Sequence, residues 1–215
     1  MDSRYGAVVL CGGQSQRMAQ DKAWLPFGSE LLLQRVVRIV GQCVPDHNIV
    51  VVAGLDQNLP PLPPHVRLVR DMAPGRGPLP ALLAGLLDLP ELVEAAFVTG
   101  CDAPLLRATV IDWLFWRLAM APPVEASNHF EAIVPADDSR LHPLCAAYRT
   151  KSRVGLATAA MSGITSLHGT IEQGLIKAHR MSLEELRRAD RALDSLASCN
   201  TPEEYEALVQ RALCE

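Results

Sequence analysis

The sequence predicts an α/β fold built on a mostly parallel central sheet, and three observations point to it. Short, β-branched and continuously apolar runs recur along the chain, as strands covered on both faces require. Segments of helical periodicity alternate with them in the strand–helix–strand order of a βαβ unit. The composition agrees, since 49% of the 215 residues are apolar and only 5% aromatic. That balance suits a globular core rich in Ala, Val and Leu.

"AVVL" (Ala7 to Leu10) is the first strand and "IVVVA" (Ile49 to Ala53) the second. Between them Leu32, Val36, Ile39, Val40 and Cys43 recur at helical spacing and form an amphipathic crossover. "VRLV" (Val66 to Val69) reads as a strand, "PLPALLAGLLDL" (Pro78 to Leu89) as a helix, and "AAFVTG" (Ala95 to Gly100) as a strand. "TVIDWLFWRLA" (Thr109 to Ala119) is a further helix, with Trp113 and Trp116 assigned to core or interface, and "AIVP" and "PLCAAY" follow as strands. The proline-rich "LPPLPPH" (Leu59 to His65) is a stiff connector too brief to be a domain linker, so residues 1–215 are expected to form one domain. The charges of "LEELRRADRA" (Leu183 to Ala192) read as a solvated helix face.

The last helix is fully punctuated. Thr201 is the N-cap, Pro202 takes the first helical position and Glu204 completes a capping box. Tyr205, Leu208, Val209 and Ala212 then share one face, as a docking helix requires. Asn200, just before the cap, is not explained by docking.

Composition also excludes. A net charge of −4 lacks the basic footprint of a nucleic-acid partner. The six cysteines are scattered with no C-x-x-C pair, which fits neither a zinc knuckle nor a disulfide scaffold. The first apolar run is too short for a signal peptide, and no segment reaches the roughly 18 apolar residues that span a bilayer. A reduced cytoplasm without membrane attachment is the expected setting.

Three strand ends open into loops that bear chemistry. After Leu10 come Cys11, Gly12 and Gly13, then Arg17 and Lys22. Glycines directly after a buried strand let backbone N–H groups approach an anion, and Arg and Lys supply charge to phosphate oxygens. The same residues also suit an ordinary strand-to-helix turn with surface cations, and the pattern is neither a Walker A loop nor G-x-G-x-x-G. After "VRLV", Asp71 precedes Pro74, Gly75, Arg76, Gly77 and Pro78, a rigid turn feeding a helix N-terminus. After "AAFVTG", Asp102 sits where open α/β sheets bind ligands, placed to hold Mg²⁺ beside a nucleotide or else to serve as a turn aspartate. Cys11 and Cys101 are read as small apolar side chains rather than reactive thiols. His142 in "LHPLCAAY" is either a strand-start histidine satisfied by backbone or a base or ligand.

These segments resemble one family. "VVLCGGQSQRMAQDKAWLPFG" is similar to the nucleotide-binding signature of molybdenum cofactor guanylyltransferases, and "RDMAPGRGPLPALLAGL" to their second motif. "TGCDAPLL" resembles their metal-binding C-D-x-P, and "ASCNTPEEYEAL" their late N-T-P-E motif. The resemblance implies a Rossmann-like, three-layer nucleotidyltransferase fold that binds GTP with Mg²⁺. It implies transfer of GMP to the phosphate of Mo-molybdopterin, with release of pyrophosphate. By matching position, Leu10, Cys11, Gly12, Gly13, Lys22, Asp71 and Gly77 lie at the nucleotide, and Asp102 holds Mg²⁺. Arg17, Lys22 and Asp102 are then the catalytic set, with His142 and Asn200 on the second-substrate side. Molybdenum-insertion proteins and molybdoenzymes are the implied downstream partners.

The chain departs from the family pattern at three places. Ala19 replaces a usual glycine, Ala53 and Gly54 stand where the second strand commonly ends in Asn, and Ser198 replaces an Asn. They bear on base and pterin contacts more than on phosphate chemistry. A cytidylyl- or sugar-phosphate nucleotidyltransferase is the neighbouring reading, against which "LCGG" in place of L-A-A-G favours guanine. A nucleotide-binding accessory protein is the reading from another class, and retention of Lys22 and Asp102 argues against it.

Overall fold

The computed structural model describes residues 3–12, 21–73, 75–121 and 129–213. In chain order its elements are β1 (Tyr5–Leu10), β2 (Pro26–Phe27), β3 (Glu30–Leu31), α1 (Leu32–Val40), β4 (Ile49–Gly54), β5 (Arg67–Asp71) and α2 (Pro78–Asp88). Then come β6 (Ala95–Gly100), α3 (Ala108–Ala119), β7 (Ala132–Ala136), β8 (Cys145–Arg149), α4 (Arg153–Met161), α5 (Leu167–Glu172), β9 (Ala178–Ser182), α6 (Leu183–Leu186) and α7 (Pro202–Leu213).

Seven strands form one sheet in the order β5-β4-β1-β6-β8-β7-β9, and β2 with β3 makes a separate hairpin. Every pairing in the large sheet is parallel except those of β8, which runs against both β6 and β7. The mostly parallel α/β expectation therefore holds.

Alternation within the strands builds three layers. Ala7, Val9, Val51, Ala53 and Phe97 face a layer that holds Val36 and Val40 of α1, Val110 and Leu114 of α3 and Leu186 of α6. Val8, Leu10, Val50, Val52 and Val98 face the opposite layer, with Leu79, Leu82 and Leu86 of α2, Leu156 of α4 and Ile171 of α5. Burial on both faces explains why these strands read as unbroken apolar runs. Phe97→Ala at the fully buried centre is expected to cost about 3–5 kcal/mol, measurable by urea unfolding.

From β1 the chain first builds outward through β4 to β5, then returns to place β6 on the other side of β1. The direction of growth reverses between β1 and β6, and a crevice opens there at the carboxyl ends. A third, smaller core of Leu25, Phe27, Leu32, Leu105, Cys199 and Leu208 lies beside it, covered by Tyr205, Val209 and Ala212 of α7. The apolar face read for the last helix is the face that docks.

One reading is corrected. The segment Leu183 to Ala192 is not a solvated helix face throughout, because α6 ends at Leu186 and Asp190 is buried. Asp190 accepts from the Ser195 N–H at 2.7 Å, and neighbouring Asp194 accepts from Arg107 Nη2 at 2.9 Å. Asp190 and Asp194 thus form a buried cluster that ties the chain before Asn200 to the start of α3. Among the described residues no helix is long and apolar enough to cross a membrane.

Candidate active site

Because β5, β4, β1 and β6 are adjacent and parallel, the ends read as site loops all lie on one edge of the sheet. Leu10 pairs with Gly100, and Gly54 pairs with Asp71. Cys11 continues β1, its N–H donating to the Val52 carbonyl at 2.7 Å, and Gly12 packs against the backbone of Gly54. Gly13, Arg17, Ala19 and Pro74 lie outside the described residues.

Lys22 is the centre of the arrangement. It opens a short 3₁₀ turn, Lys22–Trp24, capped by Asp21, whose carboxylate accepts from the Ala23 N–H at 3.0 Å. Its Nζ donates to Asp102 Oδ2 at 2.8 Å and to Asn200 Oδ1 at 2.8 Å. The charged side chains of Lys22 and Asp102 retain only 15% and 22% of their exposure, so water screens this pair weakly.

Local chain geometry fixes Asp102. A Cβ on Gly100 would collide with Asp102 Oδ1, so the missing side chain of Gly100 is the space that the carboxylate fills. The Asp102 carbonyl accepts from the Cys199 N–H at 3.0 Å, which stitches the segment before α7 to the loop after β6. Asn200 follows directly. Its own N–H donates to Glu204 Oε2 at 2.6 Å, while the Glu204 N–H donates to Thr201 Oγ1 at 3.2 Å. The expected capping box therefore forms, with its acid reaching one residue further back than the cap. Asn200 Nδ2 donates to Ser198 Oγ at 3.2 Å, which turns the amide oxygen towards Lys22. Tyr205 on α7 hydrogen-bonds the Pro26 carbonyl and holds the helix against the β2–β3 hairpin.

Asp71 is buried and makes an Asx turn, its Oδ1 accepting from the Ala73 N–H at 2.9 Å. Gly77 has φ = +75°, and a Cβ there would lie 2.8 Å from the Thr165 carbonyl oxygen, so a side chain is excluded on two grounds. Pro78 and Pro80 carry no N–H, which leaves Leu79 and Ala81 as the first-turn donors of α2. That helix end offers fewer donors to an anion than an ordinary N-terminus.

His142 lies on the same edge, before β8, and its N–H donates to the Pro135 carbonyl at 2.8 Å. Burial and the charge of Arg140 lower its pKa, with Asp137 opposing. Among the described residues no hydrogen bond joins its ring to Lys22, Asp102 or Asn200. Cys11 and Cys101 are both buried in the sheet core, and hydrogen bonding to Cys11 together with burial pushes the Cys101 thiol well up. The apolar reading of both cysteines holds.

Sequence reasoning missed Gln57, in the turn after β4, whose side chain contacts Gly54, Cys11 and Asp21. The signal that could have found it was a polar residue in the turn after a buried strand, as in the loops after β1 and β6.

In chemical terms, the site sets one ammonium between a carboxylate and an amide oxygen at the sheet switch point. Such a charge suits phosphate, and the single carboxylate beside it suits a hard cation that keeps water and phosphate ligands. Among the described residues no group of three or more His, Cys, Asp or Glu side chains forms a closed metal cage.

A family model described as "MobA-like NTP transferase domain" matches residues 7–179. A probable molybdenum cofactor guanylyltransferase of Mycobacterium bovis (strain BCG / Pasteur 1173P2) is 42% identical over 147 residues, covering 66% of this chain and 67% of that protein. A probable molybdenum cofactor guanylyltransferase of Mycobacterium avium (strain 104) is 35% identical over 207 residues, covering 94% of each chain. Among solved structures, the molybdopterin-guanine dinucleotide biosynthesis protein A of Archaeoglobus fulgidus superposes with a TM-score of 0.76 at 19% identity, covering 98% of this chain and 100% of that one.

Proposed function

The chain belongs to the MobA-like NTP transferase family, and from that premise we propose that it transfers GMP from GTP to the terminal phosphate of Mo-molybdopterin. One observation carries the assignment of roles. A single ammonium, Lys22 Nζ, lies 2.8 Å from both Asp102 and Asn200, which joins the first loop, the loop after β6 and the start of α7 in one site.

An oxygen of the acceptor phosphate attacks the α-phosphorus of GTP. The new P–O–P linkage forms as the bond to the β-phosphate breaks, and pyrophosphate departs with its electron pair. The attacking phosphate is already ionised, so no general base is needed. Reactions of this type are accelerated mainly by positioning and charge neutralisation. Lys22 supplies a fixed positive charge to the α-phosphate and the leaving group. Backbone of Leu10, Cys11 and Gly12 lines the phosphate side, and Asp71 and Gly77 border the nucleotide from the β5–α2 turn. Asn200, oriented by Ser198, meets the acceptor, with His142 further along the same edge.

Asp102 would hold Mg²⁺, for which one carboxylate seated over Gly100 suffices, since this ion keeps its waters and takes its other ligands from phosphate. When bound, the ion would neutralise phosphate charge as a Lewis acid. Delivery of the product to molybdenum-insertion proteins and molybdoenzymes is part of the same proposal.

Calorimetric titration with GTP, CTP, ATP and UTP, each with and without Mg²⁺, tests this reading. Selective, metal-assisted GTP binding supports it, a CTP preference moves it to the cytidylyl branch, and no binding at all removes it. Asn200→Ala is expected to raise the KM of the pterin acceptor about tenfold while GTP affinity stays within about twofold, the signature of a contact made to one substrate only. Loss of GTP binding in that variant would reassign Asn200 to the nucleotide.

A further inference from the structure

Neither the motifs nor the proposed reaction uses Gln57. It closes the turn after β4, where its backbone N–H donates to the Gly54 carbonyl at 3.1 Å. Its side-chain Oε1 accepts from the Gly54 N–H at 2.9 Å. Nε2 donates to the Cys11 carbonyl at 3.1 Å and to both oxygens of Asp21 at 3.0 and 2.9 Å. An amide nitrogen carries two hydrogens, so one serves Cys11 and the other the carboxylate. Arg70 holds the same turn from β5, Nη1 donating to the carbonyls of Gly54 and Gln57 at 2.9 and 2.7 Å.

Asp21 is the residue that caps the turn bearing Lys22. One amide therefore links the end of β4, the end of β1 and the cap beneath the reactive ammonium. Only a carboxamide of this length meets all three demands. A carboxylate would face Asp21 with like charge, and an apolar side chain would leave the Gly54 N–H and the Cys11 carbonyl unmatched.

We infer that Gln57 is a positioning residue, which orients the Asp21 carboxylate and so fixes where Lys22 presents its charge to a nucleoside triphosphate. The contacts stand by themselves, whereas the kinetic consequence rests on the nucleotidyl-transfer reading.

The test is Gln57→Glu, with Gln57→Met as the uncharged control. Two facing carboxylates share a proton, and their raised apparent pKa means the proton is held at low pH and lost as pH rises. The protonated pair restores the hydrogen bond, and the ionised pair repels. The KM for triphosphate in Gln57→Glu, relative to wild type, is expected to rise about tenfold near pH 8.5 and to fall back towards wild type near pH 5.5. In Gln57→Met the ratio should be raised equally at every pH.

Amide hydrogen exchange without nucleotide supplies the second readout. Ala23 and Gly54 should exchange about tenfold faster in Gln57→Glu at high pH, with the amides of β1 and β6 unchanged. A KM ratio that is flat with pH, or unaltered exchange at Ala23 and Gly54, would overturn the inference. A wild-type protein that turns over no nucleotide would instead defeat the proposed function, and the exchange data would then decide the role of Gln57 unaided.

Discussion

Lys22→Ala is expected to lower turnover about 10²-fold or more, equivalent to ~2.7 kcal/mol of lost transition-state stabilisation. The substitution removes the one ammonium that Asp102 and Asn200 share, without touching the packed core. The fall should appear in kcat, because charge on the leaving pyrophosphate grows only as the bond breaks. Thermal unfolding should remain a single cooperative transition. Lys22→Arg should recover part of the rate only, since a planar fork does not reproduce a point charge between two oxygens. An almost unchanged kcat in Lys22→Ala would remove this residue from the mechanism.

Asp102→Asn should have a comparable effect by a different route. The amide is isosteric, keeps an oxygen for Lys22 and still fits over Gly100, so the fold is preserved. What is lost is the negative charge, and with it the ligand expected for Mg²⁺. Turnover should fall about 10²-fold or more, and the saturable dependence on added Mg²⁺ should disappear. Wild-type metal dependence in Asp102→Asn would shift the assignment to another carboxylate.

Much of the fold was legible because β1, β4 and β6 are buried on both faces, and such strands leave continuous apolar runs. The helices α2 and α3 were found to within a residue, since each packs an apolar face on the sheet, whereas α1 ends at Val40, three residues before the Cys43 that its periodicity included. β9 gave no comparable signal, because this edge strand buries only Met181. α4 buries Leu156 and Ala159 alone, and α5 spans 6 residues, so neither carries a clear stripe.

The site was legible in parts. Glycines and acids at strand ends marked Cys11, Gly12, Asp71 and Asp102 one loop at a time, with Asp71 closing the half-exposed edge strand β5. Their union was not legible, because Lys22 meets Asp102 across 80 positions and Asn200 across 178. Only the strand order and the docking of α7 bring them together. Ser198 shows the same limit from the other side. As a departure from the family pattern it reads as a loss, yet its hydroxyl orients Asn200 through a 3.2 Å hydrogen bond. Gln57 was missed because its partners, Gly54, Cys11 and Asp21, come from separate stretches of chain, and a polar residue in the turn after a buried strand does not by itself announce them.

The most direct test of the central claim is pyrophosphate release by the purified protein supplied with Mg²⁺, Mo-molybdopterin and either GTP or CTP. One pyrophosphate released per guanine dinucleotide formed, with GTP used in clear preference, is the expected result. No pyrophosphate from GTP, or faster release from CTP, would contradict the guanylyl-transfer account.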